Sequence, residues 1–340
     1  MKVNLGVDSR LHGALIKLIE DNVRELSKEN EIHVTELIAP PCIRKETRLH
    51  YDEIEIDPGT AIATLNGIIG HSILENSTDA SVAITEFSIN CSIANMRVLG
   101  RVDALTDFTL QGTELHATLI DYKTTNADSF KYLIMDGAKD EWIQQLNIYK
   151  YILETQWSSI KPLLVQRAEE SGFSNIAMIK IASSFIVDRA EVDSYALGWN
   201  KRKAMRDPTY PQIPIATFDI PLYANTDIEK YVKARMLVHM DPNYLPTDEE
   251  MWVRPWALMV EGRKTPIGHY STEEKKHILL AKGQYWLLDI DDIVRDPAKN
   301  ITRCAYCVAC NVCQGKYYLK ALATKEDYKQ TMQQTVNITR

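Results

Sequence analysis

Residues 114–125 read "ELHATLIDYKTT", an apolar, β-branched run that closes on two opposite charges, Asp121 and Lys123. On a strand, residues i and i+2 project to the same face, so this spacing sends a carboxylate and an ammonium out together. Charges at the end of a buried run are seldom placed there without reason. Immediately before it, Gln111-Gly112-Thr113 is a turn signal, and "MRVLGRVDALTDF", residues 96–108, is a second β-branched stretch carrying Asp103. A hairpin through Gly112 brings Asp103 beside Asp121. Two carboxylates in one small site repel unless a divalent cation neutralises them, and hard oxygen donors suit magnesium or manganese. Such a centre supports phosphodiester hydrolysis, with the lysine orienting water or stabilising the extra charge of the transition state.

Further out, "SVAITEFSIN" at 81–90 is read as a strand, so a small sheet is expected over 81–125. Helices are expected at 11–28, where Leu11, Leu15, Leu18, Ile19 and Leu26 recur at helical spacing, and at 61–76. Another is expected at 140–157, with Trp142, Leu146, Tyr149 and Leu153 along one face. The chain is expected to turn at Pro40 and Pro41. "AMIKIASSFIVDRA", 177–190, reads as a strand, and "IEKYVKARMLVHM", 228–240, as a helix. The implied organisation is an N-terminal amphipathic helix over 1–30, a main domain over 31–320 with an elaboration at about 190–296, and a polar tail over 321–340.

Two more spacings matter. "GIIGHSILE" sets Gly67, His71 and Glu75 at i, i+4, i+8, and "QLNIY" sets Gln145 and Tyr149 at i, i+4. Alone, each reads as a helix face with an incidental polar residue. In order, Gly-x-x-x-His, Gly-Arg-Val-Asp, Asp-Tyr-Lys-Thr and Gln-x-x-x-Tyr resemble the RecB-type branch of the PD-(D/E)xK nucleases. The resemblance implies an α/β, restriction-endonuclease-like core, a small mixed sheet flanked by helices. It implies that His71, Asp103 and Asp121 hold Mg2+ or Mn2+, that Lys123 is catalytic, and that Gln145 and Tyr149 support the active site and the DNA.

"RCAYCVACNVCQG", residues 303–315, holds four of the six cysteines, each two residues from the next. Structural zinc sites draw pairs from separate knuckles, and this run is too tight for one tetrahedral ion. An iron–sulphur cube takes three ligands from a local run and a fourth from afar, and Cys42 is the remote candidate. Spacing alone leaves open whether Cys310 or Cys313 completes the local set. The chain is here similar to the iron–sulphur nucleases of CRISPR adaptation and to AddB-type nuclease domains, which carry one early cysteine and a later C-x2-C-x5-C. That resemblance implies a 4Fe-4S cluster on Cys42, Cys304, Cys307 and Cys313, with the N- and C-terminal segments joined by it. Cys91 reads as a small buried apolar residue.

With 45% hydrophobic and 25% charged residues the chain has the composition of a globular protein. No stretch approaches about 18 consecutive apolar residues, and charges at Asp8, Arg10 and Lys17 interrupt the N-terminus, so a cytoplasmic protein without membrane contact is expected. In that compartment thiols stay reduced, which favours metal binding over disulfides. The net charge of −7 does not advertise nucleic-acid binding, but Lys201, Arg202, Lys203 and Arg206 form a local basic group suited either to a solvated face or to a DNA backbone. Trp252 and Trp256 are read as packing residues. The expected function is a DNA nuclease acting on single strands or ends, in recombination and repair, CRISPR adaptation or phage DNA processing. The alternatives are a non-cleaving DNA-binding partner of a helicase or integrase, and an iron–sulphur sensor of transcription.

Overall fold

The sheet grows outward from one strand too long for a single partner. The structure is a computed structural model and describes residues 2–3, 17, 26–56, 65–70, 73–74, 77–93, 95–247, 249–252, 256–260, 268–270, 285–289, 303 and 307–313. The chain divides into two compact units. The larger comprises residues 24–38 and 61–240. Its strands are β1 (Glu31–His33), β2 (Ile84–Ile93), β3 (Met96–Gln111), β4 (Glu114–Asn126), β5 (Ser184–Leu197) and β6 (Ile215–Asp219). Its helices are α1 (Val34–Ile38), α2 (Ala127–Asp136), α3 (Asp140–Thr155), α4 (Trp157–Ser171), α5 (Ile176–Ile181), α6 (Lys201–Arg206) and α7 (Asn225–Met240).

These strands form a six-stranded mixed sheet in the order β1-β3-β4-β5-β6, with β2 paired to β3. Along one edge, β3 runs antiparallel to β2 from Met96 to Leu105. Its other edge is divided between two partners. Residues 97–99 pair in parallel with β1, and residues 104–111 pair antiparallel with β4. The β3–β4 hairpin turns at Gly112, whose φ of 63° suits a residue without a side chain. β4 then pairs in parallel with β5, which requires the long helical crossover α2–α5.

α3 is buried along most of its length, from Trp142 through Leu153. It packs against β2, β4 and β5 and is flanked by α7. Polar residues on so buried a helix need partners. Asn147 donates to the carbonyls of Ile143 and Pro221 and accepts from Tyr223 N, while Lys150 meets Glu154 and Asn225 at 2.8 and 2.9 Å. Asn126 caps α2 by accepting from Ser129 N at 2.8 Å, which fixes the turn directly after the Asp121–Lys123 segment.

The smaller unit comprises residues 1–23, 39–60 and 241–340. It holds a two-stranded parallel pair, Lys2–Val3 with Glu55–Ile56, and the helix Pro41–Leu49. A three-stranded antiparallel sheet of Trp256–Val260, Gly268–Tyr270 and Tyr285–Asp289 and a helical turn Cys310–Cys313 complete it.

Four local expectations change. Pro41 starts a helix rather than a turn, because at the first helical position its missing N–H costs nothing. Residues 176–181 are helical and the strand begins at Ser184, since a short apolar run suits either state and Gly172 has already ended α4 in a left-handed cap. Residues 26–28 are not helical, and most of the helix expected over 11–28 lies outside the described residues. Residue 190, where an elaboration is expected to begin, lies inside β5, and β6 and α7 belong to the same unit. Among the described residues no helix is long and apolar enough to cross a membrane.

Gly100 shows how tightly this unit closes. A Cβ there would stand 2.5 Å from Tyr149 Cε1 and 3.3 Å from Ile89, so α3 approaches β3 only because the side chain is missing. Gly100→Ala is expected to destabilise the protein by about 1–3 kcal/mol, more than the roughly 0.5–1 kcal/mol that alanine returns by restricting the unfolded chain. The check is a lower urea midpoint; a wild-type midpoint would contradict the packing described.

Candidate functional site

The candidate site lies where β3 and β4 part. Their last pair on this side is Ala104 with Ile120, and the next residues along the two strands are Asp103 and Asp121. Beyond that pair comes the Tyr122 N–H. It donates to Asp103 Oδ2 at 2.8 Å, so the side chain takes over from the ladder.

Asp121 is 1% exposed and is the hub. Its Oδ1 accepts from Gln145 Nε2 at 3.1 Å, and the same amide donates to Tyr149 OH at 3.0 Å. Its Oδ2 lies 2.5 Å from Lys123 Nζ in an ion pair whose alignment falls short of a hydrogen bond, so that buried oxygen has no hydrogen-bond donor among the described residues. Tyr149 OH also hydrogen-bonds the backbone of Arg101, and burial holds its phenol well above the usual range, so the hydroxyl stays neutral. The structure thus brings together Asp103, Asp121, Lys123, Gln145 and Tyr149. His71 lies outside the described residues, but the helical turn before it, residues 65–70, rests against β4 and β5. A Cβ on Gly70 would collide with the Tyr195 hydroxyl, and beyond the turn Thr78 hydrogen-bonds the Tyr122 side chain.

Burial pushes the Asp103 carboxyl up to about 7, with the Asp121 charge raising it further and Lys123 and the Tyr122 N–H opposing. Glu86 adds a smaller upward push. It is a residue that sequence reasoning missed. It lies between Thr85 and Phe87, which pair with Ala104 and Val102, adopts φ 50°, and engages Arg101 Nε at 2.7 Å. A charged residue in the midst of "AITEFSI" was the signal available for it. Two buried carboxylates, one oxygen without a donor and an adjacent ammonium match a hard divalent cation and an anionic substrate. Among the described residues no group of three His, Cys, Asp or Glu side chains is gathered as a metal site.

In the smaller unit, Cys42 is buried in the helix Pro41–Leu49, and Cys307 and Cys313 are half-buried. Lys45 Nζ donates to Pro242 O at 2.8 Å. Arg303 donates to Glu250 O at 3.2 Å and lies 4.4 Å over the Trp252 ring. These contacts tie the segments around both ends of the cysteine set into one unit. Cys304 lies outside the described residues, as does the side chain of Cys310. In the larger unit Cys91 is 3% exposed, and burial pushes its thiol up to about 12, in keeping with a small apolar core residue. Of the basic group, Lys201, Arg202 and Arg206 are exposed on α6, while Lys203 pairs with Asp128 at 2.8 Å. Trp256 is in a strand of the smaller unit.

No family model matches the chain, and no curated protein matches it. Among solved structures it is similar to one described as "Crystal structure of SSO0001", at 14% identity over 68% of this chain and 86% of that one, with a TM-score of 0.39.

The raised Asp103 carboxyl predicts a pH signature. Below about pH 4 both folded and unfolded chains hold this proton; between about 4 and 7 the unfolded chain releases it while the folded chain keeps it, so stability falls as pH rises and levels off above 7. Asp103→Asn keeps the acceptor for Tyr122 N and removes the titration. In chelator, its Tm is expected to exceed that of the wild type at pH 8 and to converge with it near pH 4. Parallel Tm profiles for the two proteins would refute this.

Proposed function

We propose that this protein is a metal-dependent DNA nuclease with a restriction-endonuclease-like core of the RecB type, hydrolysing phosphodiester bonds in single strands or at ends. One observation carries the reading: Asp103, Asp121, Lys123, Gln145 and Tyr149, spread over 47 positions, gather around one buried carboxylate at the mouth of a forked sheet. Asp103 and Asp121, with His71, would hold Mg2+ or Mn2+. When bound, such a cation supplies charge neutralisation and Lewis acidity toward a phosphoryl oxygen and water.

The chain's own groups divide the remaining work. Gln145 spends one amide hydrogen on Asp121 Oδ1 and thereby turns Oδ2 toward Lys123. Tyr149 anchors Gln145 and the Arg101 backbone, so both are positioning residues. Lys123, whose side chain is 22% exposed, keeps its ammonium within reach of substrate and stabilises charge developing on the phosphoryl group. Asp121→Ala and Lys123→Ala are each expected to lower the cleavage rate about a hundredfold or more while leaving the circular dichroism spectrum intact. Labelled single and double strands with Mg2+ or Mn2+ provide the assay, and a Lys123→Ala protein that cuts at the wild-type rate would falsify the assignment.

In the smaller unit, Cys42, Cys304, Cys307 and Cys313 would hold a 4Fe-4S cluster. The fit rests on one buried remote cysteine and a local run whose described members are only half-buried, within a unit assembled from separated segments. Bound there, the cluster supplies a crosslink between those segments. Protein purified without oxygen should be brown with about four irons per chain. Cys42→Ala, Cys307→Ala and Cys313→Ala should each bleach it, whereas Cys310→Ala should not. Bleaching by Cys310→Ala alone of the last two would shift the fourth ligand to Cys310, and a colourless zinc protein would remove the cluster.

A further inference from the structure

Ser194 is a residue that neither the motifs nor the site described so far accounts for. It is fully buried in β5, and among the described residues its hydroxyl has no hydrogen-bond partner. Such a group costs stability, and alanine would fill the same space without that cost. Its place in the sheet gives it a use. The parallel register of β4 and β5 sets Ser194 beside Lys123, and Val192, two residues earlier, beside Asp121. The two strands therefore carry two buried oxygens that lack a hydrogen-bond donor among the described residues: Asp121 Oδ2, paired with the Lys123 ammonium, and Ser194 Oγ, on the residue in register with Lys123.

We infer that Ser194 is a positioning residue that receives the Lys123 ammonium when a cation takes Asp121. The inference rests on the cation site of the proposed nuclease. As the structure stands, Lys123 is held by Asp121 Oδ2. A divalent cation on that carboxylate repels the ammonium and competes for the same oxygen. Lys123 must then shift, and a displaced ammonium in a largely buried site needs an acceptor. A serine hydroxyl offers two lone pairs, and its one proton remains available for a water or a phosphoryl oxygen. The vacancy on Ser194 is in this account the second seat of the lysine.

The test uses the full-length protein and Mn2+ alone, read by calorimetry without substrate. Ser194→Ala is expected to weaken Mn2+ binding about tenfold, the scale of one lost hydrogen bond to a charged group, and to raise the Tm of the metal-free protein. Ser194→Thr, which keeps the hydroxyl, should recover most of the affinity. In a Lys123→Met background Ser194→Ala should change Mn2+ binding little, because the partner is gone. Wild-type affinity in Ser194→Ala, or an equal loss in the Lys123→Met background, overturns the inference and leaves the nuclease reading standing. Absence of Mn2+ binding by the wild type overturns both.

Discussion

A single hydrogen bond, from Tyr122 N to Asp103 Oδ2, allows the sheet to fork. A site between two strands requires that they separate, yet separation strands backbone donors in a buried region, and such donors are almost always paired. Asp103 resolves the conflict by lending its carboxylate to the Tyr122 N–H. The same placement buries a carboxylate next to Asp121, and burial and that neighbouring charge raise its proton affinity against the opposing pull of the Tyr122 N–H. An asparagine would satisfy the backbone equally well without the charge. What the aspartate adds is therefore chemical rather than structural.

From that fork the other elements are placed by contact. α3 reaches the sheet because Gly100 yields to the Tyr149 ring, and Tyr149 in turn anchors Gln145 on Asp121. The turn of helix before His71 approaches β5 because Gly70 leaves room for Tyr195, and Thr78 meets Tyr122. Gly70, the residue directly before His71, and Gly100, the glycine of Gly-Arg-Val-Asp, thus belong to different stretches of chain but do the same job: each lacks a side chain where a helix approaches the strands bearing the charges, whereas Gly67, the glycine of Gly-x-x-x-His, stands in ordinary contact distance of Thr124. Spacing conserves nothing by itself here; it is the packing that makes each residue type necessary.

This explains which parts were legible in the sequence. The Asp121–Lys123 pair follows from strand period alone, and Gln145 and Tyr149 follow from helical period, so both could be read locally. The hairpin at Gly112 was marked by its turn residues. β1 was not legible, because three residues have no period and their pairing with residues 97–99 is set by register elsewhere. α5 differs from the expected strand because a short, mostly apolar segment such as Ile176–Ile181 suits helix and strand alike. α4 is a helix for which no expectation is stated, although Trp157, Ile160, Leu164 and Ala168 recur at helical spacing. Glu86 and Ser194 lay beyond reach for a different reason. Their proximity to Asp103 and Lys123 exists only after β2, β3, β4 and β5 have aligned.

The two units differ in what holds them. The larger has a continuous apolar core running from Ile32 through Met236. In the smaller, the buried apolar side chains among the described residues are Pro40, Pro41, Cys42, Ile54, Met251 and Ala309, contributed by segments far apart in sequence. Contacts such as Lys45 with Pro242 and Arg303 with Trp252 lie near the surface, where each contributes little. A unit closed over so long a loop gains more from a crosslink than from further exposed contacts, because the entropy of loop closure is already large and a few ligands remove it at once. Cys42, Cys307 and Cys313 stand in the unit with the sparser described core, whereas Asp103 and Asp121 stand on strands of the unit with the continuous one.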